Sequence, residues 1–240
     1  VKADYQRETF ELEESHWWYR ARRKILVECV ARTLGDRNEA RVLDVGCGGG
    51  TILANLAGRY QAYGIDLEPE AAEYAAARTG QRVMAGNFPE DVPEELHGLD
   101  GICLFDVIEH IEDDVEFLRS AKGLLRSGGF VFVSVPAIAW LFGQHDRINE
   151  HKRRYGKRDL LGALEAAGYE LEEWSYFNFL LSPLLIPAIL WKGRKPSGHN
   201  FEVRTSFDSL FESVMASEAI WLRRHRFPFG LSLLAVGRKG

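Results

Sequence analysis

Apolar and polar positions alternate along this chain with two different periods, and the changes of period mark out its elements. Across residues 14 to 34, Trp18, Ala21, Ile25 and Cys29 recur at a spacing near 3.6 and Gly35 follows, which predicts an amphipathic helix with a glycine stop. Residues 41 to 45 then form a short apolar run that ends in the glycine-rich stretch 46 to 50, the pattern of a buried strand entering a turn. Residues 51 to 59 predict a helix, 61 to 65 a second strand, and 68 to 79 a helix with Pro69 in its first turn. Further strands are expected at 82–85, 99–105, 129–135, 169–177 and 232–238, with helices at 113–125 and 157–167 between them. Strands alternating with helices in this way predict an α/β fold of the Rossmann-like kind: a seven-stranded, mainly parallel sheet with helices on both faces.

One stretch breaks the alternation. Residues 179 to 191 are almost wholly apolar, are interrupted by Pro183 and Pro187, and run into Lys192, Arg194 and Lys195. Thirteen residues are too few to cross a bilayer. The segment 178–230 is therefore expected to be a lid packed over the core or walling an apolar pocket. The alternative is a peripheral membrane contact through 179–195, with the basic residues at its edge. The chain divides into an N-terminal helical cap (1–35), a core (36–177), the lid insertion before the last strand (178–230) and the last strand (231–240), all within one domain.

Composition narrows the partners. The 240 residues are 46% hydrophobic and 27% charged, average for a globular protein. Lys plus Arg number 30 against 35 Asp plus Glu, so a net charge of −5 argues against nucleic-acid binding driven by charge. Cys29, Cys47 and Cys103 show no C-x-x-C spacing, which speaks against a zinc site or a disulfide framework and for a reducing compartment. The first residues hold no apolar signal-like run, and the expected location is cytoplasmic.

Chemistry enters at the glycine-rich turn. Asp44, Gly46, Cys47, Gly48 and Gly50 join a strand to a helix, and Asp66 ends the next strand, 22 residues after Asp44. Glycines there let a ligand approach the backbone, and a carboxylate at the end of the second strand suits ribose hydroxyls. Asp44 ahead of the glycines opposes a phosphate and suits an ammonium or sulfonium group. On these residues the chain resembles the class I S-adenosylmethionine-dependent methyltransferases, over roughly residues 36 to 177. The resemblance implies that residues 42 to 50 hold the methionine moiety of S-adenosylmethionine, that Asp66 holds its ribose and that Leu67 lies against its adenine. Asn87 and Phe88, where the family more often has Asp at the first position, would contact the adenine edge. Residues 105 to 110, which include Phe105 and Asp106, match the fourth-strand motif, and 125 to 135 the fifth. The product would be S-adenosylhomocysteine.

Methyl transfer is an in-line displacement, and a general base is needed only where the acceptor must lose a proton, as a hydroxyl does. Candidates cluster at the ligand edge of the sheet: His110 after the fourth strand, and His145, Asp146, His151, Arg153, Arg154 and Tyr155 after the fifth. His145 or His110 is the expected base, with Asp146 and Tyr155 in the catalytic group. Arg153, Arg154, His151 and Trp18 are the expected substrate contacts. The primary expectation involves no metal. The alternative set Asp106, Glu109, His110 and His145 resembles that of ubiquinone-pathway O-methyltransferases and small-RNA 2′-O-methyltransferases, members of which use a divalent cation. The acidic balance and apolar insertion count against the RNA version. Residues 14–20 and 228–239 resemble methyltransferases of bacterial surface-polysaccharide and lipid biosynthesis, so the expected acceptor is small or lipid-like, or glycosylated. A non-catalytic cofactor-binding subunit is the remaining alternative, and intact Asp44, Gly46, Gly48 and Asp66 count against decay of the site.

Overall fold

The structure is a computed structural model that describes residues 10–192 and 207–240, except the side chains of residues 145, 191 and 192. A helical stretch at residues 10–15 precedes α1 (Trp17–Leu34). The core then alternates β1 (Arg41–Val45), α2 (Thr51–Ala57), β2 (Gln61–Asp66), α3 (Pro69–Thr79), β3 (Val83–Ala85) and β4 (Leu99–Phe105). It continues with α4 (Asp114–Leu124), β5 (Leu125–Pro136), α5 (Gln144–Ile148), α6 (Lys157–Ala166) and β6 (Glu170–Phe177). The insertion contributes α7 (Ser182–Lys192) and α8 (Asp208–Trp221) before β7 (Ser232–Arg238).

The strands form one seven-stranded sheet in the order β3-β2-β1-β4-β5-β7-β6. Only β7 runs antiparallel, against both β5 and β6. Because β1 pairs with β2 on one side and β4 on the other, the connections diverge at β1 and leave a crevice at the carboxyl ends of β1 and β4.

Side chains alternate across each strand, and each face buries its own core. Leu43 and Val45 join Ile102, Leu104, Val131 and Val133 under α4 and α6. Val42, Cys103 and Phe132 meet α1 and α2 on the other face through Ala21, Ile25, Cys29, Leu53 and Leu56. Asp44 has the parity of this second set and is buried at its ligand end.

Three departures from the periodicity have local causes. The helix expected from residue 14 restarts at Trp17, because the His16 ring accepts the Trp18 N–H at 3.3 Å and caps a new first turn. β5 begins at Leu125 rather than 129, since Leu125 pairs with Leu99 across an irregularity in the β4 ladder. Pro187 lies inside α7 without ending it. The carbonyl it leaves unpaired belongs to Pro183, which is exposed and open to water.

The insertion is anchored on the cap. Glu212 of α8 pairs with Lys24 at 2.6 Å and Arg20 at 3.1 Å, and Met215 and Leu222 complete the core beneath α1. At its start the buried Glu218 carboxylate accepts the N–H groups of Phe179 and Leu180, each at 2.9 Å. No helix among the described residues is long and apolar enough to cross a membrane.

Candidate functional site

The turn after β1 is built for close approach. Gly46, Gly48 and Gly50 take φ of 65, 51 and 74°, the left-handed region that costs any other residue strain. Asp66, arriving on β2, pins the turn: its carboxylate accepts the Gly48 N–H at 2.8 Å and the Glu68 N–H at 3.0 Å. Burial pushes the Asp66 carboxyl above its usual range against the pull of these two amides. Asp44 is more isolated. Its Oδ2 has no hydrogen-bond partner among the described residues. Burial, then the charges of Asp66 and Glu13, push its carboxyl from 3.8 up to about 8. A buried carboxylate with one oxygen left unsatisfied is costly to ionise, and a cation beside it lowers that cost. The glycine cradle, the open Asp44 Oδ2 and the Asp66 carboxylate therefore fit a nucleoside that carries a positive charge.

These residues open into a cavity of about 410 Å³, within the range of small-molecule sites. Asp44, Cys47 and Gly48 line it from β1 and the turn, Phe105, Asp106, Glu109 and His110 from the end of β4, and Trp18 and Arg22 from α1. His151 and Arg154 line it from the segment after α5, and Ile189 from α7.

Arg22 and Glu13 were absent from the candidates drawn from sequence. The Arg22 guanidinium lies 2.7 Å from Asp106 Oδ2 and donates to Ser134 Oγ at 2.8 Å, tying the cap to the ends of β4 and β5. This pairing holds Asp106 in the left-handed region at φ 57°. Arg22 falls on the buried stripe of α1 together with Ala21, Ile25 and Leu26, and a cation on an apolar stripe was its signal in the sequence. Glu13 lines the same cavity, and burial pushes its carboxyl up to about 7.

Beyond the turn, Glu109, His110 and His151 bring one ligand atom each within 4.8 Å of one another. Glu109 is fully buried, neither carboxylate oxygen has a partner among the described residues, and burial with the Asp106 charge raises its pKa well above the usual range. Burial, and then His151, lower the pKa of His110, which keeps the ring neutral at pH 7. The two rings meet edge to face at 4.8 Å. Asp146 supports them from below: it lies 3.0 Å from His151 Nδ1 and accepts Arg154 Nε at 2.8 Å and the Gly143 N–H at 2.8 Å. Burial opposes ionisation of Asp146, but His151, Arg154 and the amide prevail and hold its carboxyl at about 2.

The remaining sequence candidates separate. His145 belongs to α5, and its side chain lies outside the described residues. Arg153 and Tyr155 are not brought to the cavity. The Tyr155 hydroxyl donates to Asp114 Oδ2 at 2.6 Å, and Arg153 reaches the same carboxylate at 3.3 Å and the Ile111 and Glu112 carbonyls. The segment is extended, so alternate residues face opposite ways: 153 and 155 towards α4, 154 towards Asp146. Asp106, expected in the alternative metal set, is taken by Arg22, and His151 stands beside Glu109 and His110 instead. Leu67 and Asn87 are exposed past Asp66, while Phe88 packs on the core with its ring 5.2 Å from that of Phe117.

Residues 17–173 match the family described as a methyltransferase domain. The chain is 30% identical over 168 residues to a protein of Mycolicibacterium smegmatis named a probable S-adenosylmethionine-dependent methyltransferase, covering 68% of this chain and 63% of that one. It is 34% identical over 103 residues to a ubiquinone biosynthesis O-methyltransferase of Xanthomonas campestris, covering 40% and 42%. The match thus spans less than two thirds of either relative. The fold is shared with the N-methyltransferase NodS of Bradyrhizobium japonicum, solved with S-adenosylhomocysteine, at a TM-score of 0.58 and 14% identity over 95% of this chain and 90% of that one.

Proposed function

Because the chain belongs to the class I S-adenosylmethionine-dependent methyltransferases, as the family match over residues 17–173 establishes, we propose that it methylates an oxygen of a small, lipid-like or glycosylated acceptor. The observation that carries this reading is the place of His110 on the cavity wall beyond the glycine turn, with His151 against it and Asp146 behind. When bound, the cofactor supplies an electrophilic methyl group on a sulfonium. Asp66 holds the ribose hydroxyls, Asp44 faces the positive charge, and the glycine backbone lets the methionine moiety come close. Trp18 and Ile189 wall the space against water. His110 takes the hydroxyl proton as the acceptor oxygen becomes the nucleophile. Substitution of His110 by alanine is expected to lower kcat about a hundredfold while cofactor affinity stays within about threefold. Steady-state kinetics and calorimetry measure the two, and equal loss of both would make His110 a structural residue.

One observation favours a second reading. The unpartnered Glu109 carboxylate and the two imidazoles within 4.8 Å offer one hard and two borderline donors, a set that suits Mn²⁺ or Zn²⁺ better than Mg²⁺. Glu109, His110 and His151 would hold such an ion, and its chemistry there would be to orient and acidify the acceptor hydroxyl. Activity that survives dialysis against a chelator supports His110 as the base. Activity lost on dialysis and restored by Mn²⁺ supports the ion.

The buried acid gives the cofactor step a pH dependence. With its carboxyl at about 8, Asp44 is mostly protonated at pH 7, and a sulfonium beside it favours the ionised form. Affinity for S-adenosylmethionine should therefore rise with pH up to about 8, by at most about tenfold per pH unit, and level off above. The neutral thioether of S-adenosylhomocysteine carries the same amino and carboxyl groups and should show a shallower slope. Titration calorimetry in buffers of different ionisation enthalpy should record more proton release for S-adenosylmethionine than for S-adenosylhomocysteine. Identical slopes for the two ligands would remove Asp44 from contact with the charge.

A further inference from the structure

The described part of the insertion turns large apolar side chains outward. Leu184 and Leu190 of α7 are 56% and 50% exposed, and Ile220 and Trp221 at the end of α8 are 69% and 51%. Leu180, one turn before Leu184, lines a shallow depression with Ile220 and Trp221, so the approach to α7 borders the end of α8. Phe229 extends it through an edge contact with Phe179 at 4.7 Å. From Pro183 to Leu190 the chain has no polar side chain at all. A protein partner would meet no side-chain hydrogen-bonding group between Pro183 and Leu190, whereas lipid tails require none.

Charge identifies the occupant. Residues 219–230 contain no Asp or Glu, yet hold Arg223, Arg224 and Arg226, in a chain whose net charge is −5. Arg223 and Arg224 line the same depression as Leu180 and Trp221, although Arg223 also pairs with Glu28 at 2.7 Å. An apolar face bordered by cations and an interfacial tryptophan matches an anionic lipid surface.

We propose that α7, Leu180 and the end of α8 form a docking face for an anionic bilayer. The face lies in the plane of the interface, since no described helix is long and apolar enough to cross. The same helix puts Ile189 on the wall of the reaction cavity, so one element borders both the lipid and the acceptor space. The proposal goes beyond the methyl-transfer reading and stands without it.

Co-sedimentation of the full chain, without cofactor, tests it on vesicles of phosphatidylcholine and on vesicles with about 30% phosphatidylglycerol. The expected result is binding to the anionic vesicles, about tenfold weaker binding to the neutral ones, and release at high salt. Leu184→Glu with Leu190→Glu is expected to lower the anionic partition about tenfold or more, with thermal midpoint and cofactor affinity unchanged. Leu184→Ala with Leu190→Ala, a milder pair, should give an intermediate loss. Arg224→Gln with Arg226→Gln should reduce binding to anionic vesicles and leave binding to neutral ones alone. Three outcomes overturn the proposal: no sedimentation of the wild type with either vesicle, equal sedimentation of the glutamate variant, or a wild-type dimer that the glutamate variant abolishes. The last would assign the face to a second copy of the chain. Because no cofactor is present, failure of docking and failure of the methyltransferase reading are separate results.

Discussion

Replacing Asp66 by alanine is expected to weaken S-adenosylmethionine binding about a hundredfold, close to 3 kcal/mol at roughly 1.4 kcal/mol per factor of ten. The carboxylate does two things at once. Its oxygens accept the Gly48 and Glu68 amides at 2.8 and 3.0 Å, which fixes the left-handed turn, and their remaining lone pairs are the acceptors offered to the ribose. Alanine removes the ribose contact and releases the Gly48 amide, so the turn no longer waits in its binding shape. Asp66→Asn separates the two effects only partly, because its NH₂ must face one of the two N–H donors. It should fall between wild type and alanine. Calorimetry measures the affinities, and a thermal midpoint close to wild type keeps the loss local. Unchanged affinity in Asp66→Ala would take Asp66 out of the cofactor site.

The glycine turn and Asp66 were legible in the sequence because their requirements are local. A left-handed backbone needs glycine, and the carboxylate that pins it sits at the end of the adjacent strand. The central strands were legible for a similar reason: burial on both faces makes 101–105 of β4 and 130–135 of β5 nearly continuous apolar runs. What the sequence hid depends on distant partners. Arg22 acquires its role from Ser134, 112 residues away, and from Asp106. Arg153, Arg154 and Tyr155 are neighbours with the same prospects on paper. Asp114 on α4 claims the first and third, and Asp146 claims the second. His151, a substrate candidate by position, lines the cavity within the Glu109–His110 cluster, with Asp146 fixing its Nδ1. Within that cluster, spacing proposed Asp106 and His145 as partners, and a salt bridge to the cap decided otherwise for Asp106.

Asp146→Ala is expected to destabilise the fold by about 3–5 kcal/mol, the cost of leaving a buried cation without its partner. Asp146 is fully buried, and its two oxygens satisfy Arg154 Nε, the Gly143 amide and His151 Nδ1. Alanine strands the Arg154 guanidinium, whose side chain is only 10% exposed, and leaves the short α5 without its tie to Gly143. Asn keeps an acceptor for the amide but cannot neutralise Arg154, and should recover less than half of the loss. The carboxyl is held at about 2 in the folded protein against 3.8 in the unfolded chain. Its stabilisation, about 2 kcal/mol on this basis, is therefore present above pH 3.8 and lost as pH falls through about 2. Urea unfolding at pH 7 and near pH 3 checks both parts: the gap between wild type and Asp146→Asn should narrow at the lower pH. A gap that stays constant would mean that the packing of α5, rather than the charge, is what Asp146 contributes. Because the same carboxylate orients His151, and His151 meets His110 edge to face, a folded Asp146→Asn protein should also lose turnover while retaining cofactor affinity. That split would show the Asp146–His151–His110 chain acting on the acceptor side of the cavity alone.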